Sequence, residues 1–467
     1  MLAFHNPLGA GAGLDRRAFL RVGGLGLGGL SLADLFAIRA QARARKLPLR
    51  DKSVIFLFMH GGPSQFETFD PKMDAPREIR SATGEIPTTL PGITFGSTLE
   101  RLARLAHKFS VVRSFATGDA NHDIKPVVGR DTMRANMGSL YARVAGPLRA
   151  GTGMPTNVML FPRSVKPDAG PAITQFGDFS ATGELGTSYA PFVPGSGGGL
   201  QQDMKLNLPV ERLQDRRALL AGIDQWKRWV DASGALEGVS EFQEQAFGAL
   251  LGGVSDAFDL GKEDERLVAR YDTAGLVPPD RISAKWNNKK HYADHGATLG
   301  KLLLLARRLC ERGAGFVTVN TSFVWDMHAD ANNATMREGM GYVGTPFDHA
   351  VSAFIEDVEA RGLRDKILLV CCGEMGRTPR INKNGGRDHW GGLAPLMLYG
   401  GGLRMGAVVG QSTRDGGEPA EDRVTMADLL ATVMHTILDV GEVRLTDGLP
   451  TNLVDLLTRG GPIKGLV

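Results

Sequence analysis

The chain has 467 residues, 42% of them hydrophobic and 22% charged. That is a globular balance, and it excludes both a disordered chain and a multi-span membrane protein. The formal charge of +3 does not mark a nucleic-acid binder. Residues 1–45 hold six arginines against two aspartates, an excess of four that leaves the remainder at −1. The charge therefore gives no support to a nucleic-acid reading, which wants a clustered basic surface on the folded part.

The first segment reads as an address. Asp15-Arg16-Arg17-Ala18-Phe19-Leu20-Arg21 resembles the bacterial twin-arginine export signal. An uncharged run from Val22 to Ala33 follows, then Ala40-Gln41-Ala42, a site suited to signal peptidase. Twelve uncharged residues fall short of the roughly 20 that a membrane-spanning helix needs. Residues 1–45 are therefore expected to be removed, leaving a periplasmic or extracellular protein with no integral membrane segment. The three cysteines (Cys310, Cys371 and Cys372) are an odd number, two of them adjacent in an apolar run, and read as buried thiols rather than a disulfide framework.

Residues 46–467 read as one α/β domain in which strands and helices alternate. Ser53–Met59 is a continuous apolar run ending in His60-Gly61-Gly62-Pro63, as expected of a strand covered on both faces. Thr98 to Lys108 reads as a helix and Ser110–Val112 as a strand. Between 151 and 293 the pattern changes to a Gly/Ser/Pro-rich stretch (Pro194–Gly199) and a polar helical region from Val210 to about Leu251, expected as an insertion. Gly296–Arg312 reads as a leucine-rich helix, with His291, Asp294 and His295 as its N-terminal cap. A strand at Gly315–Val319, a helix from Phe347 to Arg361, a strand at Lys366–Cys372, another at Pro395–Tyr399 and a helix from Thr425 to Leu438 complete the series. Such alternation implies crossover units and a mostly parallel central sheet sandwiched by helices.

Ligands of open parallel sheets bind outside the carboxyl ends of the strands. Four strand ends here deliver imidazoles or carboxylates: His60 after the first; Thr117 and His122 after the second; Asp326 and His328 after the third; Glu374 and Arg377, then Asp388 and His389, after the fourth. A cluster of His and Asp/Glu without paired cysteines suits a borderline divalent cation, Zn²⁺ or Mn²⁺ rather than Ca²⁺ or Mg²⁺. Asp326 and His328, two apart, share a face if extended. Asp388 and His389 face opposite ways in a strand, which leaves one of them to orient the other. Gly61-Gly62 and Gly400-Gly401-Gly402 lack the Lys-Ser/Thr continuation of a phosphate cradle and read as turns. Arg377-Thr378-Pro379 is a candidate anion-holding segment.

The leader, Met59-His60-Gly61-Gly62-Pro63-Ser64-Gln65, Trp325-Asp326-Met327-His328, Gly373-Glu374-Met375-Gly376-Arg377-Thr378-Pro379 and Asn384-Gly385-Gly386-Arg387-Asp388-His389-Trp390 together resemble one bacterial family. Its members are exported proteins of unknown function described as sulfatase-like. The resemblance implies an alkaline-phosphatase superfamily core with two divalent metals at the strand ends. It casts Asp326 and His328 as the central ligand pair, Glu374 as the acidic half of an Asp-His pair, and His389 as the last histidine. His60 stands where an aspartate is usual, and Met375 where the partner histidine would follow Glu374. No cysteine or serine lies in the Cys/Ser-x-Pro-x-Arg context that formylglycine sulfatases need.

The implied activity is metal-dependent hydrolysis of phosphate or sulfate esters of a small molecule or glycan. One metal would polarise the ester oxygen and the other would activate the nucleophile, with Arg377 offsetting developing charge. Thr117, Ser64 and a metal-bound hydroxide are the candidate nucleophiles. The competing expectation is an exported binding protein that keeps the fold without turnover.

Overall fold

A computed structural model describes residues 47–150, 152–194 and 254–467. The leader and the helical region expected from Val210 lie outside the described residues. The central sheet has seven strands: β1 (Ser53–Phe58), β2 (Ser110–Val112), β3 (Asn157–Leu160), β4 (Phe316–Asn320), β5 (Ile367–Cys372), β6 (Leu396–Gly400) and β7 (Val408–Val409). Their order is β7-β2-β6-β5-β1-β4-β3. Only β6 runs against the rest. β1 lies between β5 and β4, with Val54 opposite both Leu368 and Phe316.

The unbroken apolar runs follow from burial on both faces. Successive strand residues point to opposite sides. Ile55, Leu57 and Met59 accordingly enter one core cluster while Val54, Phe56 and Phe58 enter the other. The first cluster is roofed by two helices, α2 (Lys289–Glu311) and α3 (Met336–Ala360), through Leu302–Leu305 and Phe347, Val351, Phe354 and Val358. The second is covered by α1 (Met137–Ala145) and α4 (Met426–Ile437), through Leu140, Val144, Leu429, Val433 and Ile437. These elements belong to one unit, residues 48–445 with 449–467. Among the described residues no helix is long and apolar enough to cross a membrane. All three cysteines are buried and free.

Three expectations are corrected. The stretch 151–293 is not wholly an insertion, because its residues Asn157–Leu160 form the sheet's edge strand, parallel to β4. A four-residue strand within Gly- and Pro-rich surroundings leaves little periodicity to read. The leucine-rich helix begins at Lys289, so His291, Asp294 and His295 lie inside its first two turns and Asn288 holds the cap position. His295 is buried with Nε2 3.3 Å from the Val343 carbonyl, and Asp294 accepts from the Gly170 N–H. The helix expected from Phe347 starts at Met336, where the Thr335 hydroxyl accepts from the Glu338 N–H at 3.1 Å. Pro346 lies within it rather than at its start.

Candidate metal centre

The parallel strands all exit at one edge of the sheet, and their loops meet there. After β1 the chain turns at Gly61 (φ +113°) and Gly62 (φ +79°). The approach is close: a Cβ on Gly61 would stand 2.7 Å from the Asp326 backbone nitrogen. No side chain fits there, and the turn lets the Gly61 N–H reach both Glu374 carboxylate oxygens at 3.0 and 3.2 Å. After β4 an extended segment carries Asp326 and His328 on one face, with His328 Nε2 2.8 Å from Asp326 Oδ1. After β5 comes Glu374. Just beyond it a short antiparallel ladder pairs Arg377 with His389 and carries that imidazole back to the rim.

His122, Asp326, His328 and His389 thus each present one donor atom, all within 4.8 Å of one another. His122 Nε2 and His389 Nε2 lie 3.3 and 3.4 Å from Asp326 Oδ1, and His328 Nε2 lies 2.6 Å from His389 Nε2. Ligands about 2.0–2.1 Å from a tetrahedral ion sit about 3.3 Å from each other. The observed spacings bracket that value.

The outer nitrogens decide how the inner ones behave. His122 Nδ1 is 3.0 Å from Glu374 Oε1, and His328 Nδ1 is 3.2 Å from Asp388 Oδ1. A carboxylate takes the N–H, so each ring keeps its proton outside and turns a lone pair on Nε2 inward. Two such lone pairs, with the Nε2 atom of His389 beside them, then face a carboxylate oxygen. The Arg377 guanidinium, 2.7 Å from Asp326 Oδ1 and 3.3 Å from His328 Nε2, supplies one positive charge at the edge of that arrangement, and a metal ion or extra protons would supply more. The donor set therefore fits a metal ion.

Burial pushes the Asp326 carboxyl up, but the Arg377 guanidinium and its contacts with His122, His328 and His389 outweigh this and hold it far below the usual carboxylate range. For His122, burial is outweighed by contacts to Asp326 and Glu374, and its pKa is raised. Burial lowers that of His389, against the pull of Asp326.

The structure distributes the expected site residues unevenly. His122, Asp326, His328 and His389 form the cluster. Glu374, expected as a ligand, and Asp388, expected either to ligate or to orient its neighbour His389, stand behind His122 and His328. His60 is boxed by the rings of Phe58, Phe176, Phe179 and Phe323, its centroid 4.9–5.8 Å from theirs, and burial brings its pKa down to about 4. Its Nε2 has no hydrogen-bond partner.

Arg377 reaches the cluster but is fully engaged. It donates to Asp326 Oδ1 at 2.7 Å and to the carbonyls of Gly61, Gly62, Trp325 and Arg387, and its Nη1 lies 3.3 Å from His328 Nε2. The Ser64 hydroxyl donates to Glu67, which pairs with Arg387 at 3.1 Å. Thr117 is buried, its hydroxyl 3.4 Å from the Asp119 carbonyl.

Three contributors escaped the sequence reading. Asn333 donates to Asp326 Oδ2 at 3.1 Å, Asn382 donates to Asp388 Oδ1 at 3.1 Å, and Lys125 reaches the Glu374 carbonyl at 3.2 Å. For Lys125 a signal existed in the alternation of Asp119, Asn121 and Asp123 just before it.

Fold and side chains together define a helix-flanked, mostly parallel α/β protein with three histidines and an aspartate gathered at its strand ends. The chain belongs to the family described as "Protein of unknown function (DUF1501)", whose family model matches residues 51–465. No curated protein matches it. Among solved structures it is similar to the PsFucS1 sulfatase from Pseudoalteromonas sp., at 12% identity and TM-score 0.38, covering 92% of this chain and 76% of that one. It is also similar to the phosphonate monoester hydrolase SpPMH from Silicibacter pomeroyi, at 10% identity and TM-score 0.35, covering 88% and 78%. A third is the alkaline phosphatase from the Antarctic bacterium TAB5, at 14% identity and TM-score 0.28, covering 76% and 93%.

Proposed function

We propose that this protein is an exported, metal-dependent hydrolase of phosphate or sulfate esters, acting on a small molecule or glycan outside the inner membrane. The observation that carries the reading is the convergence of three imidazole Nε2 atoms on the ionised Asp326, with carboxylates on the outer nitrogens of two. His122, His328, His389 and Asp326 would hold the ion, and the nitrogen-rich set favours Zn²⁺ or Mn²⁺. When bound, such a cation supplies Lewis acidity toward an ester oxygen and makes water more acidic.

The chain's own residues divide the remaining work. Glu374 and Asp388 fix the tautomers of His122 and His328. Arg377 keeps Asp326 charged. Thr117 lies on the segment that leads to His122, and its hydroxyl is less firmly held than that of Ser64, which makes it the better candidate nucleophile.

A second reading, a non-catalytic metal-holding protein, draws support from Arg377. Its donors are spent within the protein, which leaves that guanidinium nothing to offer a substrate anion.

Metal analysis of the purified protein, followed by an aryl phosphate and aryl sulfate panel at fixed metal, separates the two. Tightly held metal with turnover is expected of the hydrolase; metal without turnover is the binder. His328→Ala should lower metal content by a large factor while the protein stays folded. Unchanged stoichiometry in that variant removes the ligand assignment.

A further inference from the structure

Lys125 closes the loop that carries His122 and is largely buried, although the two carboxylates it meets are 52% and 40% exposed. Its Nζ lies 3.0 Å from Asp119 Oδ1, 3.0 Å from Asp123 Oδ1, 3.4 Å from the Asn121 carbonyl and 3.2 Å from the Glu374 carbonyl. Only 11% of its side chain is exposed. Two carboxylates and two carbonyls around one centre are the kind of donors a hard cation such as Ca²⁺ takes, four of the six to eight oxygens it needs, the rest coming from water. Here an ammonium, a compact point charge with three donors, occupies that centre.

Three of those oxygens come from the loop that carries His122. The fourth belongs to Glu374, whose side chain holds His122 Nδ1. One ammonium therefore ties the Asn121 carbonyl before His122 and the Asp123 carboxylate after it to the residue that sets its ring. It also offsets one of the two negative charges that Asp119 and Asp123 place beside a site that already holds Asp326 and Glu374.

We propose that Lys125 is a positioning residue for the metal centre, a tethered internal cation whose charge fixes His122 against Glu374. The centre then has one exchangeable cation in the imidazole cluster and one covalently attached beside it. This rests on the metal reading above and extends it to a residue that touches no ligand atom.

The test uses the full chain, stripped of metal and titrated with zinc in competition with a chromophoric chelator. Wild-type protein should bind one zinc. Lys125→Met, which keeps the length and loses the charge, should bind it about 10–100-fold more weakly, as loss of an outer partner does. Lys125→Ala opens the oxygen cage, and millimolar Ca²⁺ or n-propylamine should restore at least tenfold of the lost affinity while leaving wild type unmoved. A lysine that merely stabilises the fold would show no such rescue.

Asp119→Asn, at a half-exposed position, provides a milder variant should Lys125→Ala not fold, and it too should weaken zinc. Zinc bound by wild type with equal affinity in Lys125→Met, or a loss that neither Ca²⁺ nor the amine repairs, overturns the proposal alone. Wild-type protein that binds no zinc removes the metal reading and this inference with it.

Discussion

Replacing Glu67 by Gln tests the framework that delivers His389. Glu67 and Arg387 are both 0% exposed. Arg387 reaches the carboxylate through Nε at 3.1 and 3.3 Å and through Nη2 at 3.1 Å. Its other contacts are the carbonyls of Ile79, Arg80, Thr378 and Pro379 and the face of Phe66, 4.2 Å from Cζ. Glutamine keeps the shape but sets an amide against the guanidinium, stranding a buried positive charge. Removing one partner of such a pair costs about 3–5 kcal/mol. With an unfolding entropy of about 2.1 cal/mol/K per residue over roughly 400 residues, the thermal midpoint should fall by roughly 4–6 °C.

Scanning calorimetry of the metal-free wild type, Glu67→Gln, Arg387→Met and the double variant reads this directly. The double variant leaves no lone charge, so its loss should be smaller than the sum of the single losses. Metal retention should fall alongside stability, because Arg387 immediately precedes Asp388 and His389. A shift under about 1 °C in Glu67→Gln, or strictly additive losses, would refute the assignment of this pair as the anchor of the loop.

Two further outcomes follow from the same geometry. Glu374→Gln keeps an acceptor for the Gly61 N–H but removes the negative charge from His122 Nδ1, so zinc affinity should drop about 10–100-fold with the fold intact; equal chelator competition for both proteins would contradict this. Away from the site, burial raises the Glu263 carboxyl but its bonds to Arg308 and Arg307, both 2.8 Å, outweigh this and bring the pKa to about 2. A carboxyl whose pKa is lowered on folding contributes stability that is complete above the unfolded value of about 4.3 and vanishes as pH falls through 2. The stability gap between wild type and Glu263→Gln should therefore be constant from pH 7 to about 5 and close toward pH 2, as urea melts across that range would record.

The central sheet was legible because burial on both faces writes unbroken apolar runs, as at Val54–Met59 and Ile367–Cys372. Its edge was not, since Asn157–Leu160 is too short to stand out, and it joins the sheet only through pairing with Phe316–Val319. Strand-end reasoning located all four cluster residues. It could not rank them, because sequence spacing says which loop a side chain is on but not which ring nitrogen faces inward. Glu374 and Asp388 therefore looked like ligands. His60 shows the complementary failure. It leaves the right strand at the right edge, but Phe176, Phe179 and Phe323, more than 100 residues away in the chain, close around it. No local pattern announces such a box.

Arg377 bears on which ion the cluster suits. It shares Asp326 Oδ1 with three imidazoles, and Asn333 occupies Oδ2, so the only carboxylate in the cluster has little left to give. Hard ions draw on oxygen: Ca²⁺ takes six to eight such ligands, and Mg²⁺ an octahedral set. Three imidazole nitrogens and one shared oxygen cannot approach that count from protein atoms alone. A small, borderline ion bound mainly through imidazole meets its needs with what is present, and the guanidinium helps by holding the anionic oxygen in place. The more oxygen-rich group a few residues away, two carboxylates and two carbonyls around one point, is occupied by the Lys125 ammonium.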